Sequence, residues 1–219
     1  MSSEELSYRY RESFLKYTRK AFSLLPEMNK PLILDVGCGT GVATIELFKL
    51  SNGKIIGIDI NQDALDKFKK RIEEENLPNE ITIMNCNLLE TNFSDESFDL
   101  IWAEGVIYII GFQKGFKACF RLLKKGGFLV LHEALIGLRK NTHLIKKCGF
   151  QVFDKFFLPE GAWWNEYYEP LEKEIDQLNE DGLSQDILKE INQIKHEINL
   201  VKSYRPKELN CAFYILQKI

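Results

Sequence analysis

What this chain of 219 residues lacks narrows its class before any motif is read. No apolar run approaches the roughly 20 residues of a membrane-spanning helix. The stretch from Met1 to Leu25 is charged and amphipathic, unlike the apolar core of a secretory leader. A surplus of positive charge is missing as well. There are 29 Lys and Arg against 32 Asp and Glu, a net charge of -3, whereas nucleic-acid binders present a basic face. The basic cluster Lys67, Lys69, Lys70 and Arg71 runs into Glu73, Glu74 and Glu75, which is the pattern of a solvated helix face. The five cysteines, Cys38, Cys86, Cys119, Cys148 and Cys211, are odd in number, widely spaced and without a C-x-x-C, against both a disulfide framework and a zinc site. No internal repeat, low-complexity tract or linker interrupts the chain. These absences predict a single cytoplasmic domain over residues 1–219, with no membrane span, no metal and no nucleic-acid partner.

What is present centres on residues 32–41, LILDVGCGTG. Leu32 to Val36 is apolar without polar alternation, as in a parallel strand buried on both faces. Gly37, Gly39 and Gly41 follow at alternate positions, where glycine admits positive φ and lets a ligand approach the backbone. A dinucleotide loop, G-x-G-x-x-G, would need its last glycine at position 42, which is Val42. A helix is expected from Val42 to Leu50, stopped by Asn52 and Gly53. KIIGIDI then reads as a second buried strand ending on Asp59, where a nucleotide-binding sheet places an acid for ribose hydroxyls. Asn61 supplies the cap for the next helix, Asp63 to Glu75, so Asp59 is not needed for that task. EITIMNCN, SFDLIWAEG, KKGGFLVLHEA, FQVFDKFFL and CAFYILQKI supply five further strands, with helices at Phe112 to Leu123 and Asn141 to Cys148.

Asp35 with Gly37, Gly39 and Gly41 resembles motif I of the class I S-adenosylmethionine (SAM)-dependent methyltransferases, hydrophobic-D-x-G-x-G-x-G. NLLETNFSDESFDLI is similar to that family's G-D-A-x-x-L-P-F-x-D-x-S-F-D-L-I, and LKKGGFLVL to its L-K-P-G-G-x-L-hydrophobic signature, with Lys125 in place of proline. The motifs cover about residues 30–135. The resemblance implies an α/β fold, a Rossmann-like seven-stranded, mostly parallel sheet with helices on both faces and an antiparallel last strand at 211–219. It implies a SAM-binding core at 30–158, SAM as methyl donor and S-adenosylhomocysteine as product. The implied cofactor residues are Asp35, Gly37, Cys38, Gly39, Gly41, Asp59, Ile60, Asn87 and Leu88. Asn87 stands on the family's usual acid and keeps an acceptor for the adenine amino group without the charge. Leu88 falls where a backbone amide meets adenine. The Asn/Asp-Pro-Pro-Tyr sequence of many DNA and protein-glutamine methyltransferases is replaced by AEGVIY, which favours a small-molecule acceptor. EGVIYIIGF and WWNEYY also resemble a group of uncharacterised bacterial and archaeal small-molecule methyltransferases, which names no acceptor.

Ser2 and Glu5 form a capping box for one amphipathic N-terminal helix over 1–25, either core packing or, by the resemblance, part of a lid. The family's short hairpin between the last two strands is replaced by a long insertion, 160–205. It carries Trp163, Trp164, Tyr167 and Tyr168, and a helix from Ser184 to about Ser203 with Ile187, Leu188, Ile191, Ile194, Ile198 and Val201 on one stripe. The insertion is expected to be either a helical lid over the acceptor or a dimerisation element, the protein being a monomer or a homodimer. The aromatic cluster is either core or a cage for a flat or cationic acceptor.

Methyl transfer from a sulfonium is an in-line displacement, so most of the catalysis is placement and exclusion of water. A base is needed only where the attacking C, N or O carries a proton. Ligands in open α/β sheets sit beyond the carboxyl ends of the strands, which makes His132, Glu133 and Glu104 the candidates. His132 suits a base, although a lone histidine is also commonly structural. Glu104 could instead hold the methionine ammonium of SAM or line the acceptor mouth with Tyr108. The expected acceptor contacts are Tyr108, His132, Trp163, Trp164 and Tyr167. A nicotinamide oxidoreductase and a non-catalytic SAM-binding scaffold are the rival readings.

Overall fold

The computed structural model describes residues 10–178, 183–203 and 210–219. Seven strands, β1 (Leu32–Val36), β2 (Lys54–Asp59), β3 (Ile81–Asn85), β4 (Phe98–Glu104), β5 (Leu123–Ala134), β6 (Phe150–Phe157) and β7 (Cys211–Lys218), form one sheet in the order β3-β2-β1-β4-β5-β7-β6. β7 is antiparallel to both neighbours, and the other pairings are parallel. The helices are α1 (Leu15–Ser23), α2 (Val42–Ser51), α3 (Gln62–Glu74), α4 (Ile107–Ile110), α5 (Phe112–Leu122), α6 (Leu135–Lys147), α7 (Glu169–Asp176) and α8 (Gln185–Ser203).

The unalternated apolar runs are explained by two-sided burial. Ile33 and Leu34 on β1, and Leu100, Ile101, Trp102 and Ala103 on β4, have no exposed surface. One face packs Leu34, Ile101 and Leu129 against Phe116 of α5 and Leu144 of α6. The other packs Ile33, Leu100, Trp102 and Val130 against Tyr17 and Ala21 of α1 and Leu47 of α2. Strand order reverses between β1 and β4, so their carboxyl ends open the crevice in which such sheets bind ligands.

Three expectations are corrected. The N-terminal helix is broken at Ser13 and Phe14, because the Ser13 hydroxyl donates to the Tyr10 carbonyl at 2.7 Å and to the Glu166 carbonyl at 3.1 Å, competing with helical bonding; its Ser2–Glu5 capping box lies outside the described residues. The helix expected from Asn141 begins at Leu135, directly after β5. A Cβ at Gly137 in its first turn would approach the Phe112 ring at 3.2 Å, so the position is small for packing. KKGG, expected from its two glycines to be a turn leading into the fifth strand, instead sits within β5 as an irregularity opposite Phe98 and Leu100.

The insertion builds its own small core. Leu171 and Ile175 of α7 meet Ile191 and Ile198 of α8, with Trp164, Tyr168, Ile187 and Ile194 around them. Of the stripe expected on α8, Ile187, Ile191, Ile194 and Ile198 are therefore covered from within the chain, whereas Leu188 lies outside this core.

Candidate active site

The glycine loop after β1 is pinned to β2 by backbone bonds, Gly37 and Cys38 donating to the Ile58 carbonyl at 2.8 and 3.1 Å. All three loop glycines take positive φ, +74° at Gly37, +52° at Gly39 and +85° at Gly41. A Cβ at Gly37 would press on Val106 at 2.9 Å and one at Gly41 would enter the Phe68 ring at 2.2 Å, whereas one at Gly39 would meet nothing within 4 Å. Gly39 therefore faces open space, and the other two glycines are dictated by packing as well.

Asp59 accepts from Gly39 N at 2.8 Å through Oδ2 and from Asn61 N at 2.9 Å through Oδ1, leaving a lone pair on each oxygen. Asn61 caps α3 as expected, accepting from Ala64 N at 3.2 Å. Ile60, 70% exposed, and Leu89, 44% exposed, present apolar surface beyond the ends of β2 and β3. Leu89 had escaped the sequence reading; its signal is an exposed leucine beside Asn87. Asn87 caps the short turn Leu88–Glu90 by accepting from Leu89 N at 3.0 Å, and its amide donates to Glu90 at 3.4 Å. The Leu88 side chain is in the core.

Two residues expected at the cofactor are turned inward. Asp35 is 2% exposed and accepts from the Thr44 hydroxyl at 2.6 Å, tying β1 to α2. Burial pushes its carboxyl up to about 7. Cys38 is buried, its sulfur lying 3.0 Å from where a Gly57 Cβ would stand, so its side chain closes the loop's underside.

On the other side of the crevice, Glu104 at the end of β4 accepts from Trp102 Nε1 at 2.8 Å, Thr18 Oγ1 at 2.9 Å and Arg11 Nη2 at 3.1 Å. The sequence reading missed Arg11, Thr18 and Trp102, which nothing local marks; the fold brings the first two across 93 and 86 positions. Glu104 Oε2 also lies 3.9 Å from Nδ1 of His132. His132 is 3% exposed, and its ring stacks on Phe213 at 4.5 Å and 2° and on Trp163 at 5.8 Å and 5°. Burial lowers its pKa to about 4, so the ring is neutral near pH 7. The neighbouring carboxylate favours the proton on Nδ1, and Nε2, which has no hydrogen-bond partner among the described residues, is left as a bare lone pair.

The aromatic cluster is divided. Trp163 stacks on Phe14 at 4.3 Å and roofs His132. Trp164, expected on the acceptor side, packs instead into the insertion's own core. Tyr167 touches both groups, and Tyr108 is 60% exposed at the crevice rim. Glu133 is buried and accepts from Ile107 N at 2.7 Å and Tyr108 N at 3.3 Å, holding the start of α4. It is thus an anchor for the rim and is turned away from any acceptor. Among the described residues no three His, Cys, Asp or Glu side chains gather to hold a metal ion. No described helix is long and apolar enough to cross a membrane.

A glycine loop after β1, an acid ending β2 and an antiparallel β7 inserted between β5 and β6 define a Rossmann-like methyltransferase fold. The chain matches the family model of the methyltransferase domain over residues 33–127. It is 31% identical over 144 residues to the demethylmenaquinone methyltransferase of Lactobacillus johnsonii, covering 64% of this chain and 57% of that protein. Its fold matches the crystal structure of the [4+2]-cyclase SpnF with a TM-score of 0.76 at 16% identity, covering 93% of this chain and 80% of that one. It also matches the phosphoethanolamine N-methyltransferase 2 of Haemonchus contortus, solved with phosphomonomethylethanolamine and S-adenosylhomocysteine, with a TM-score of 0.69 at 18% identity, covering 93% and 52%. At these identities the structural matches speak for the fold alone. The chain spans only 28%, 43% and 57% of the length of the first curated relatives it matches.

Proposed function

We propose that the protein binds SAM at the carboxyl ends of β1, β2 and β3 and transfers its methyl group to a small-molecule acceptor beneath Trp163. The observation that carries this is Gly39: a positive-φ glycine whose missing Cβ faces open space, bonded through its amide to Asp59. The residues fit the group. Free lone pairs on Asp59 suit ribose hydroxyls, Ile60 and Leu89 offer apolar surface to a flat base, and the Gly37, Gly39 and Gly41 loop admits the methionine end. SAM supplies an electrophilic methyl on a sulfonium that leaves as neutral thioether.

The chain's own work is then placement and water exclusion. His132 is in position to accept a proton from a protic acceptor atom at Nε2, while Glu104 on the Nδ1 side holds the ring's tautomer and orientation. At 3.9 Å this contact is long, as is common before ligands tighten a site. Glu104 is thereby a positioning residue, and holding an ammonium would require Arg11 or Thr18 to release it. Phe14 and Tyr17 on the N-terminal side and Trp163 and Glu166 of the insertion act together as the roof, since Tyr17 donates to Glu166 at 2.9 Å and Phe14 stacks on Trp163. The covered stripe on α8 supports a monomer, and five free thiols support a cytoplasmic setting.

Calorimetry tests the cofactor half. Asp59→Ala should weaken SAM by about 1.5–3 kcal/mol for each charge-assisted ribose bond lost. Unchanged affinity in a folded variant, or a melting shift with NAD and none with SAM, defeats the proposal.

A further inference from the structure

We propose that the methyl acceptor carries a carboxylate, bound by Nη1 of Arg11 beside His132. This rests on the reading of the space beneath Trp163 as the acceptor chamber. The case follows from which hydrogen-bonding groups around the chamber are already occupied. Every carboxylate near it has a donor: Glu104 has Trp102, Thr18 and Arg11. Glu166 takes the Tyr17 hydroxyl on Oε1, and Lys16 lies 2.9 Å from Oε2, an ion pair outside hydrogen-bond alignment. Glu174 takes the Tyr10 hydroxyl, and Glu197 that of Tyr168 at 2.8 Å. The side-chain atoms here that are shut off from solvent without a hydrogen-bond partner are Arg11 Nη1, His132 Nε2 and Glu166 Oε2, and only the last of these has an ion pair, with Lys16. Arg11 and His132 are neighbours: Arg11 Nη2 and His132 Nδ1 both face Glu104 Oε2, and both side chains lie against the Trp163 ring.

A buried guanidinium N–H left without an acceptor is costly, so an occupant of the chamber has to bring an oxygen to it. A cationic acceptor fits poorly, because the aromatic cage already holds a cation: the Arg11 guanidinium carbon is 5.0 Å from the centre of the Trp163 ring and 5.9 Å from that of Phe14. Nη2 gives one of its N–H groups to Glu104, while Nη1 gives none to the described residues. Glu104 beside it disfavours a dianion, which selects a carboxylate over a phosphate. An acceptor that meets both Arg11 Nη1 and His132 Nε2 bears a carboxylate at one end and a protic O–H or N–H, directed to Nε2, at the other.

The test uses three probes with one flat body and one phenol: para-hydroxyphenylacetate, its amide, and tyramine, which are anionic, neutral and cationic. Each is titrated calorimetrically into the full chain with and without S-adenosylhomocysteine. The carboxylate should bind about tenfold or more tightly than the amide, with tyramine weakest. Arg11→Gln should reduce the ratio to near one, and Arg11→Lys, which keeps the charge, should retain a preference even if the glutamine variant folds poorly. Equal binding, no binding of the carboxylate, a preference for tyramine, or a carboxylate preference that survives in Arg11→Gln overturns the proposal. Failure of S-adenosylhomocysteine to bind counts against the methyl-transfer reading instead, and the probe preference is read separately in its absence.

Discussion

The missing Cβ has a different consequence at each loop glycine, and that separates binding from folding one residue at a time. Gly41→Ala would drive a methyl to 2.2 Å from the Phe68 ring, so the variant should lose stability by several kcal/mol and melt early. Gly39→Val meets nothing within the chain. Its cost to folding is confined to holding a β-branched residue at φ +52°, on the order of 1–3 kcal/mol, while the side chain fills the space assigned to SAM. Folded Gly39→Val protein should therefore show no SAM binding by calorimetry; wild-type affinity would remove the loop from the site. The positive φ of the glycines and the place of Asp59 at the end of β2 were legible in the sequence because they are backbone features, fixed by spacing within one βαβ unit. Asp35 was misread for a related reason: the pattern places an acid at the strand's end but not which way it points, and Thr44, nine positions on, turns it inward.

At the scale of elements, periodicity found the stripe on α8 but not what covers it. α7 and the π-helical turn Trp164–Tyr168 lie in a stretch with mixed signals, and their apolar residues acquire meaning only once folded against Ile191 and Ile198. The same packing distinguishes the adjacent tryptophans. Trp163→Ala removes the ring that stacks on His132 and Phe14 and lies over by Arg11. It should reduce kcat/KM for the acceptor far more than SAM affinity. Trp164→Ala removes a half-buried ring from the insertion core and should lower stability by about 2 kcal/mol, below the 3–5 kcal/mol of a fully buried aromatic, with turnover little changed. Equal losses of turnover in the two variants, measured at a temperature where both are folded, would show that the two rings do not have separate jobs.

For the whole molecule, seven strands with an antiparallel last one were legible through the resemblance, and right-handed crossovers restrict how such strands can be ordered. On the other side of the crevice from the glycine loop, Glu104, His132 and Trp163 were named from the sequence, but Arg11 and Thr18 were not, since only the fold brings them to Glu104 across 93 and 86 positions. Its assembly leaves three buried titratable groups whose pulls on stability oppose one another. Burial raises Asp35 and Glu133 to about 7 and lowers His132 to about 4. A raised carboxyl binds its proton more tightly in the folded state, so both carboxyls cost nothing below about pH 4 and progressively destabilise as pH rises to 7. The lowered histidine has the opposite sign: its contribution is complete above its unfolded pKa of about 6.5 and is lost as pH falls towards 4. Each shift corresponds to about 3–4 kcal/mol. Glu133→Gln keeps an acceptor for the α4 amides, and Asp35→Asn keeps one for Thr44, so neither variant has to lose its hydrogen bond. Relative to wild type, each should gain melting temperature from pH 4.5 to about 7 and level off above it. Because other groups titrate identically in both proteins, the difference isolates the one carboxyl. A difference that stays flat across that window would mean that the carboxylate is as well solvated in the folded chain as in the unfolded one, and that neither anchor titrates where its burial places it.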